Sequence, residues 1–280
     1  MRHLSFAREP VVRDARRGLR AARTRRSIGC CAVRTDYERL AGRYDEDRAR
    51  WSFPRDHVID ELLVSRPVVR VLDLGCGTGR WLAAQRDLLG DSRVTLLGAD
   101  PSSAMLAEAR TKRISTIIRA RAEDLPLPDA AIDYIACSYC FHHFSDKGRA
   151  LDEVARALTP SGVFRINNIE PAAARGWWLY EFFPEAVAID AARFWPPARI
   201  AQALEARAFT VDIDLESGCE EIPLGDALAD AERRVVSQLA MLDDDAYRRG
   251  LARLRQAAAL PNATVTTTHS RLRLTARRTR

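Results

Sequence analysis

Lysine is nearly absent from this chain. Of 44 basic residues only Lys112 and Lys147 are not arginine, and the accompanying wealth of alanine has the look of a GC-rich coding sequence. No single arginine is therefore read as functional on its residue type alone. No stretch reaches the roughly 18–20 uncharged apolar residues that cross a bilayer, so no membrane partner is expected. Cysteine occurs six times, at 30, 31, 76, 137, 140 and 219, without framework spacing. A chain of 280 residues needs no such staples, and reduced thiols in a cytoplasmic protein are expected. The run Cys137-Ser-Tyr-Cys140-Phe-His142-His143 holds ligand types, but no second ligand pair stands at zinc-site spacing, so no metal is expected. Internal repeats are absent.

The charge that is present is segregated. Residues 1–34 hold ten arginines against Glu9 and Asp14, a net of +8 in a chain whose total is +6, so residues 35–280 carry −2. A nucleic-acid-binding face on the fold is thus not required by composition. The tail lacks the apolar segment of a secretory signal, and it is acid-poor like a transit peptide but has few serines. It is expected to be a disordered extension, with residues 35–280 forming the folded domain.

From residue 68 strands alternate with helices. Val68–Leu74, bounded by Pro67 and Gly75, is an apolar β-branched run suited to a buried parallel strand. Helical spacing over 78–89 ends at Gly90. A second strand over 94–99 leads to Asp100-Pro101-Ser102, a helix start. Further strands are expected at 115–119, 132–139 and 163–169, with a helix over 147–158 stopped by Pro160-Ser161-Gly162. A helix over 198–208, a strand over 211–216, two or three helices within 223–260 and a strand over 265–276 complete the chain. Such alternation predicts a doubly wound, mostly parallel sheet covered on both faces.

The sharpest signal is Val71-Leu-Asp73-Leu-Gly75-Cys76-Gly77-Thr-Gly79-Arg80. A strand running into a glycine turn that opens a helix lets backbone approach a nucleotide closely. Dinucleotide sites space their glycines G-x-G-x-x-G. Here the spacing is G-x-G-x-G, and Asp73 would repel a pyrophosphate but suits a ligand bearing an ammonium group. Asp100 ends the second strand twenty-five residues after Gly75, where a carboxylate can accept from both ribose hydroxyls or cap the next helix. Met105 is spaced to face the same pocket, and core packing explains it equally well.

Six ordered segments then carry a resemblance: Tyr37-Glu-Arg-Leu-Ala-Gly-Arg-Tyr44-Asp45, VLDLGCGTGR, GADPSSAMLAEAR, RAEDLPLPDAAIDY, SYCFHHFSD and EVARALTPSGVF. Residues 37–169 resemble the class I S-adenosylmethionine-dependent methyltransferase superfamily, in the branch with ubiquinone- and menaquinone-biosynthesis enzymes. The resemblance implies a Rossmann-like α/β fold with a seven-stranded sheet, an antiparallel last strand and helical cap insertions at about 170–197 and 217–264. It implies S-adenosylmethionine as cofactor, with Gly75, Cys76, Gly77 and Gly79 around the methionine end and Asp73 at its amino group. Asp100, with Pro101 beside it, would hold the ribose and Ala122 with Glu123 would border the adenine. Ser138 and Tyr139 would close the pocket, under an N-terminal segment carrying Tyr37 and Tyr44, with Tyr44 as the contact and Tyr37 as packing. Arg121 departs from the acceptor-bearing Asp common at its position, and Ser161 from a glycine.

Methyl transfer from a sulfonium is an in-line displacement that needs alignment and, for some acceptors, a base. His142 and His143 follow the fourth strand's carboxyl end, where ligands sit in such sheets, and are candidates for acceptor contact or for the base; cap packing is the alternative. The aromatic segment with Trp177, Trp178, Tyr180 and Phe183 reads as an acceptor wall or as core. The expected partner is a small, hydrophobic or planar acceptor. Two other readings remain: an RNA or protein methyltransferase that grips a polyanion with its tail, and a cofactor-binding protein without catalysis. Nothing in the sequence specifies an oligomer.

Overall fold

The computed structural model describes residues 37–48, 52–114 and 116–279. The basic tail over 1–34 lies outside the described residues. Among the described residues seven strands form one sheet: β1 (Val69–Leu74), β2 (Val94–Asp100), β3 (Thr116–Arg119), β4 (Ile132–Ser138), β5 (Leu158–Asn168), β6 (Phe209–Pro223) and β7 (Thr264–Arg278). Their order is β3-β2-β1-β4-β5-β7-β6. Neighbours from β3 to β5 pair in parallel, and β7 runs antiparallel to both β5 and β6.

Helices α1 (Tyr37–Asp47) and α2 (His57–Ser65) precede β1; α3 (Arg80–Leu89) and α4 (Ser103–Thr111) connect β1 to β2 and β2 to β3. The proline-rich segment 125–129 joins β3 to β4 without a helix, as its sequence requires. Helix α5 (Lys147–Ala157) leads into β5, and Asp146 caps it by accepting from the Arg149 amide, a contact worth about 1 kcal/mol. Between β5 and β6 lie α6 (Trp178–Phe182), α7 (Glu185–Arg193) and α8 (Pro197–Glu205); between β6 and β7 lie α9 (Leu224–Glu232), α10 (Ser237–Met241) and α11 (Asp244–Ala258).

The central strands are buried on both faces, which is why they read as continuous apolar runs. On one face Leu151, Val154, Ile200 and Leu204 of α5 and α8 pack on Leu72, Ile135, Phe164 and Leu274. On the other, Val58, Ile59, Leu82 and Leu106 of α2, α3 and α4 pack on Val69, Val71, Tyr134 and Val163. A third core belongs to the cap, where α6, α7, α9, α10 and α11 gather around Trp178, Leu179, Phe183, Leu239 and Leu254. The chain winds outward from β1 to β3 and then returns to lay β4 beside β1. The crevice at that reversal, outside the carboxyl ends of β1 and β4, is where open α/β sheets bind ligands.

Two boundaries differ from the sequence reading. β6 runs to Pro223 instead of ending at 216, so the second cap insertion starts at Leu224 and not at 217. Ser217-Gly218-Cys219 has turn composition, yet it pairs with 268–270 of β7. The His269 ring lies over Gly218, where a Cβ would sit 2.9 Å from ring atoms, so the glycine admits a cross-strand neighbour instead of turning the chain. β5 also begins earlier, at Leu158, absorbing the expected helix stop as a register irregularity opposite β4.

Candidate active site

The glycine turn is built by left-handed backbone. Gly75 has φ +77° and Gly79 φ +74°, a region that side chains rarely occupy. Space forbids side chains as well: a Cβ on Gly75 would stand 2.7 Å from Cys140 Cβ and Sγ, and one on Gly79 would stand 3.0 Å from Ala109 Cβ in α4. The turn is fastened to the end of β2 by the Asp100 carboxylate, which accepts from the Gly77 amide (2.9 Å) and the Ser102 amide (2.9 Å). Burial pushes the Asp100 carboxyl up from its ordinary value, and these two amides pull it back.

Above the turn opens a cleft of about 840 Å³, open solvent at its mouth included. Gly75, Gly77, Asp100, Pro101 and Met105 form its floor and one flank. Ala122, Glu123, Ser138 and Tyr139 also line it, as does Tyr44 of α1. Three residues expected at the cofactor lie behind this lining. Cys76 turns into the core against Gly98 and Leu82, and Gly79 packs on α4. Asp73 is buried in β1 directly before the lining residues Leu74 and Gly75. Burial, and after it the charge of Asp100, pushes its carboxyl up to about 8. Glu123 does reach the cleft, but its Oε1 already accepts from the Ser145 (2.7 Å) and Asp146 (3.1 Å) amides.

The two histidines part company. His143 lines the cleft. His142 is buried behind it, stacked on Phe194 with ring centroids 4.2 Å apart, and among the described residues its Nδ1 finds no partner. Both rings are held below the ordinary histidine value. Burial is the main cause for each; His143, pushed to about 3, also feels the charges of Arg193 and Lys147. Composition and periodicity gave no sign of His143's partner. Tyr37 Oη, 106 positions earlier, is hydrogen-bonded to His143 Nε2 at 2.8 Å, and both side chains line the cleft. Burial drives the Tyr37 hydroxyl above its ordinary value, so it stays protonated.

Of the two readings of the aromatic tetrad, acceptor wall or core, its position matches the core. Trp177, Trp178, Tyr180 and Phe183 belong to the cap's own core and do not line the cleft. Tyr180 Oη donates instead to the buried Asp190 (2.6 Å), which also accepts from Arg193 and Gln238. The aromatic side chains that do face the cleft are Tyr37, Tyr44, Tyr139 and Phe144. Among the described residues no three His, Cys, Asp or Glu side chains converge to hold a metal ion, and no helix is long and apolar enough to cross a membrane.

Residues 72–166 match the family described as methyltransferase domain. The ubiquinone/menaquinone biosynthesis C-methyltransferase of Vibrio campbellii is 40% identical over 105 residues, which cover 35% of this chain and 40% of that protein. The chain thus spans about two-fifths of the length of the curated relative it matches. Among solved structures, a putative methyltransferase from an antibiotic biosynthesis pathway of Anabaena variabilis superimposes with a TM-score of 0.56 at 19% identity, covering 79% of this chain and 97% of that one. The phosphoethanolamine N-methyltransferase 2 of Haemonchus contortus, solved with phosphomonomethylethanolamine and S-adenosylhomocysteine, gives 0.53 at 19% identity, covering 87% of this chain and 58% of that one.

Proposed function

We propose, from the premise that this chain is a member of the class I S-adenosylmethionine-dependent methyltransferase superfamily, that it methylates a small molecule held between the glycine turn and the Tyr37–His143 pair. The observation that carries the reading is the junction of three features in one cleft: the G-x-G-x-G turn, the Asp100 carboxylate and a hydrogen-bonded Tyr–His pair.

The residues present fit the cofactor. Asp73 is a carboxylate buried to the point of holding its proton near neutrality, and a ligand ammonium supplies the counter-charge that would release that proton. Asp100 keeps lone pairs for ribose hydroxyls beyond the two amides it accepts. Met105 and Ala122 supply apolar flanks. When bound, S-adenosylmethionine supplies a sulfonium methyl group open to in-line displacement.

The chain's task is then alignment, exclusion of water and proton handling at the acceptor. His143, held neutral, and Tyr37, held protonated, share one proton and one lone pair in the bond between them, and the hydrogen-bonding capacity left on the Tyr37 hydroxyl orients an acceptor oxygen or nitrogen. Neither group changes charge near neutral pH, so this pair acts by position more than as a strong base. Tyr139 adds a strained element: its φ of +55° is uncommon for an aromatic residue and turns the chain at the cleft edge.

Calorimetry tests the reading. S-adenosylmethionine binds in the micromolar range, and Asp100→Asn weakens it by about 1–3 kcal/mol, the cost of a lost buried polar partner. NADH binding without S-adenosylmethionine binding overturns the assignment. With an acceptor found by labelled-cofactor incubation of host metabolites, Tyr37→Phe lowers kcat more than it raises KM, and the pH profile of kcat stays flat between pH 5 and 8. A Tyr37→Phe enzyme with full kcat removes the pair from the mechanism.

A further inference from the structure

Two adjoining thiols, one of them at the wall of the cleft, are not used by the proposed methyl transfer. Cys137 lies in β4, fully buried against the sheet core. The left-handed turn at Tyr139 folds the chain back, so that Cys140 Sγ comes to 3.1 Å from Cys137 Sγ. Cys140 also lines the cleft, which gives a small oxidant a path to one sulfur of the pair. A disulfide needs an S–S distance of about 2.05 Å, so about 1 Å of side-chain movement joins them.

We propose that Cys137 and Cys140 form a redox-active dithiol, an oxidative modification site in the cleft wall whose oxidation by a low-molecular-weight disulfide weakens cofactor binding. The effect on binding rests on the functional reading above; the modification itself does not. Cys140 thiolate attacks one sulfur of the small disulfide, forming a mixed disulfide and expelling a thiolate that takes up the proton Cys140 released. Cys137 thiolate then attacks Cys140 Sγ and expels the second small thiolate, which takes the second proton. The protein loses two electrons and two protons, and the small disulfide is reduced to two thiols.

The link to the cofactor runs through the glycine turn. Cys140 Sγ donates to the Leu74 carbonyl at 2.9 Å, and Gly75 lies so close that a Cβ there would clash with Cys140. A disulfide sulfur carries no proton, so oxidation removes the donor to Leu74 and draws Cys140 toward Cys137. Leu74 and Gly75 both line the cleft. The Cys140 thiol is held well above its ordinary value, first by its bond to Cys137, then by burial and by the charges of Asp73 and Asp100. Oxidation is consequently slow at neutral pH and accelerates with alkalinity, by about tenfold per unit while the thiolate fraction is small.

The test uses the full chain carrying Cys30→Ser, Cys31→Ser and Cys219→Ser, with oxidised glutathione as the oxidant. Intact mass after thiol alkylation shows a loss of two hydrogens without a retained glutathione, and peptide mapping links 137 to 140. The oxidised protein binds S-adenosylmethionine about tenfold more weakly, the order of effect of one hydrogen bond lost at the turn, and dithiothreitol restores the affinity. Adding Cys137→Ala to the same background leaves a retained glutathione on Cys140, because nothing resolves the mixed disulfide. Absence of the two-hydrogen loss overturns the dithiol, whether or not the Ala variant folds. A disulfide with unchanged affinity overturns the coupling. Failure of the reduced protein to bind S-adenosylmethionine counts against the functional reading, while the mass result judges the dithiol separately.

Discussion

Asp73, buried directly behind the cleft lining, carries a clear pH signature. Its carboxyl, ordinarily near 3.8, is pushed to about 8 by burial and by Asp100. A raised folded-state value means that the folded protein binds a proton which the unfolded chain has released between those two points. This group's contribution to stability is therefore full below pH 4 and is lost as pH rises toward 8. An ammonium ligand reverses the preference, since it pairs with the ionised carboxylate. Between pH 6 and 7.5, S-adenosylmethionine binding is expected to release close to one proton, read from the dependence of calorimetric enthalpy on buffer ionisation enthalpy. Asp73→Asn abolishes that dependence; a wild-type protein that releases no proton shows that Asp73 does not meet the ammonium. The sequence made the need for a carboxylate before the turn legible, because a strand end facing a nucleotide narrows what an acid can do. It could not show which histidine faces the cleft. His142 and His143 are adjacent in a short 3₁₀ turn, and their division of labour is decided by Phe194, which stacks on one, and Tyr37, which bonds the other.

At the scale of elements, α1 fastens the site from outside the sheet. Its Glu38 carboxylate accepts from the Ser103 (2.8 Å) and Ala104 (3.0 Å) amides, the open donors at the start of α4. These amides hold the Glu38 carboxyl below its ordinary value. A depressed carboxylate contributes stability at neutral pH that is lost as pH falls through its folded value, so this contact loosens in acid. At the other end Asp45 accepts from Thr78 (2.5 Å) beside the glycine turn and pairs with Lys112 (2.6 Å). Tyr37 and Tyr44 ride on the same helix, each next to one of these attachments. Glu38→Gln is expected to speed hydrogen exchange over 37–47 and raise the cofactor Kd severalfold, leaving exchange in β1 and β4 unchanged. Unaltered exchange in α1 refutes the attachment. The attachment was hidden in the sequence, since Glu38 and Ser103 are 65 positions apart and, though each lies in a segment that carries the resemblance, no motif pairs them. The central strands were legible for the opposite reason: burial on both faces forces β-branched runs that glycine and proline delimit. β6 was only half legible, because its pairing depends on His269 covering Gly218 and not on any local preference.

At the scale of the molecule, sheet and cap are built on different principles. The sheet half holds its cleft residues with backbone donors and glycine geometry. The cap half is organised around one buried charge, Asp190, which receives Arg193 Nε (2.9 Å) and Nη2 (2.8 Å), Tyr180 Oη (2.6 Å) and Gln238 Nε2 (2.9 Å), tying together α6, α7 and α10. Arg193 ends α7, and the next residue, Phe194, is the one stacked on His142, so the network sets the rear support of the histidine pair. Tyr180 was read from sequence as acceptor wall, from its place after the fifth strand, or as core, because aromatics supply most buried area; its hydroxyl is what the sequence underweighted, since a buried Tyr seeks a partner. Asp190→Asn leaves the Arg193 cation buried without its counter-charge and is expected to cost about 3 kcal/mol in urea unfolding. The amide oxygen still serves Tyr180 and Gln238, so adding Arg193→Met, which removes the stranded cation, recovers most of that loss. Because Asp73, Asp100 and the glycine turn are held by the sheet half, the single variant keeps its cofactor affinity, while the acceptor KM rises as His142 loses its support. A single variant as stable as wild type, or one in which cofactor affinity falls along with stability, shows that cap and sheet are not independently organised and removes this division.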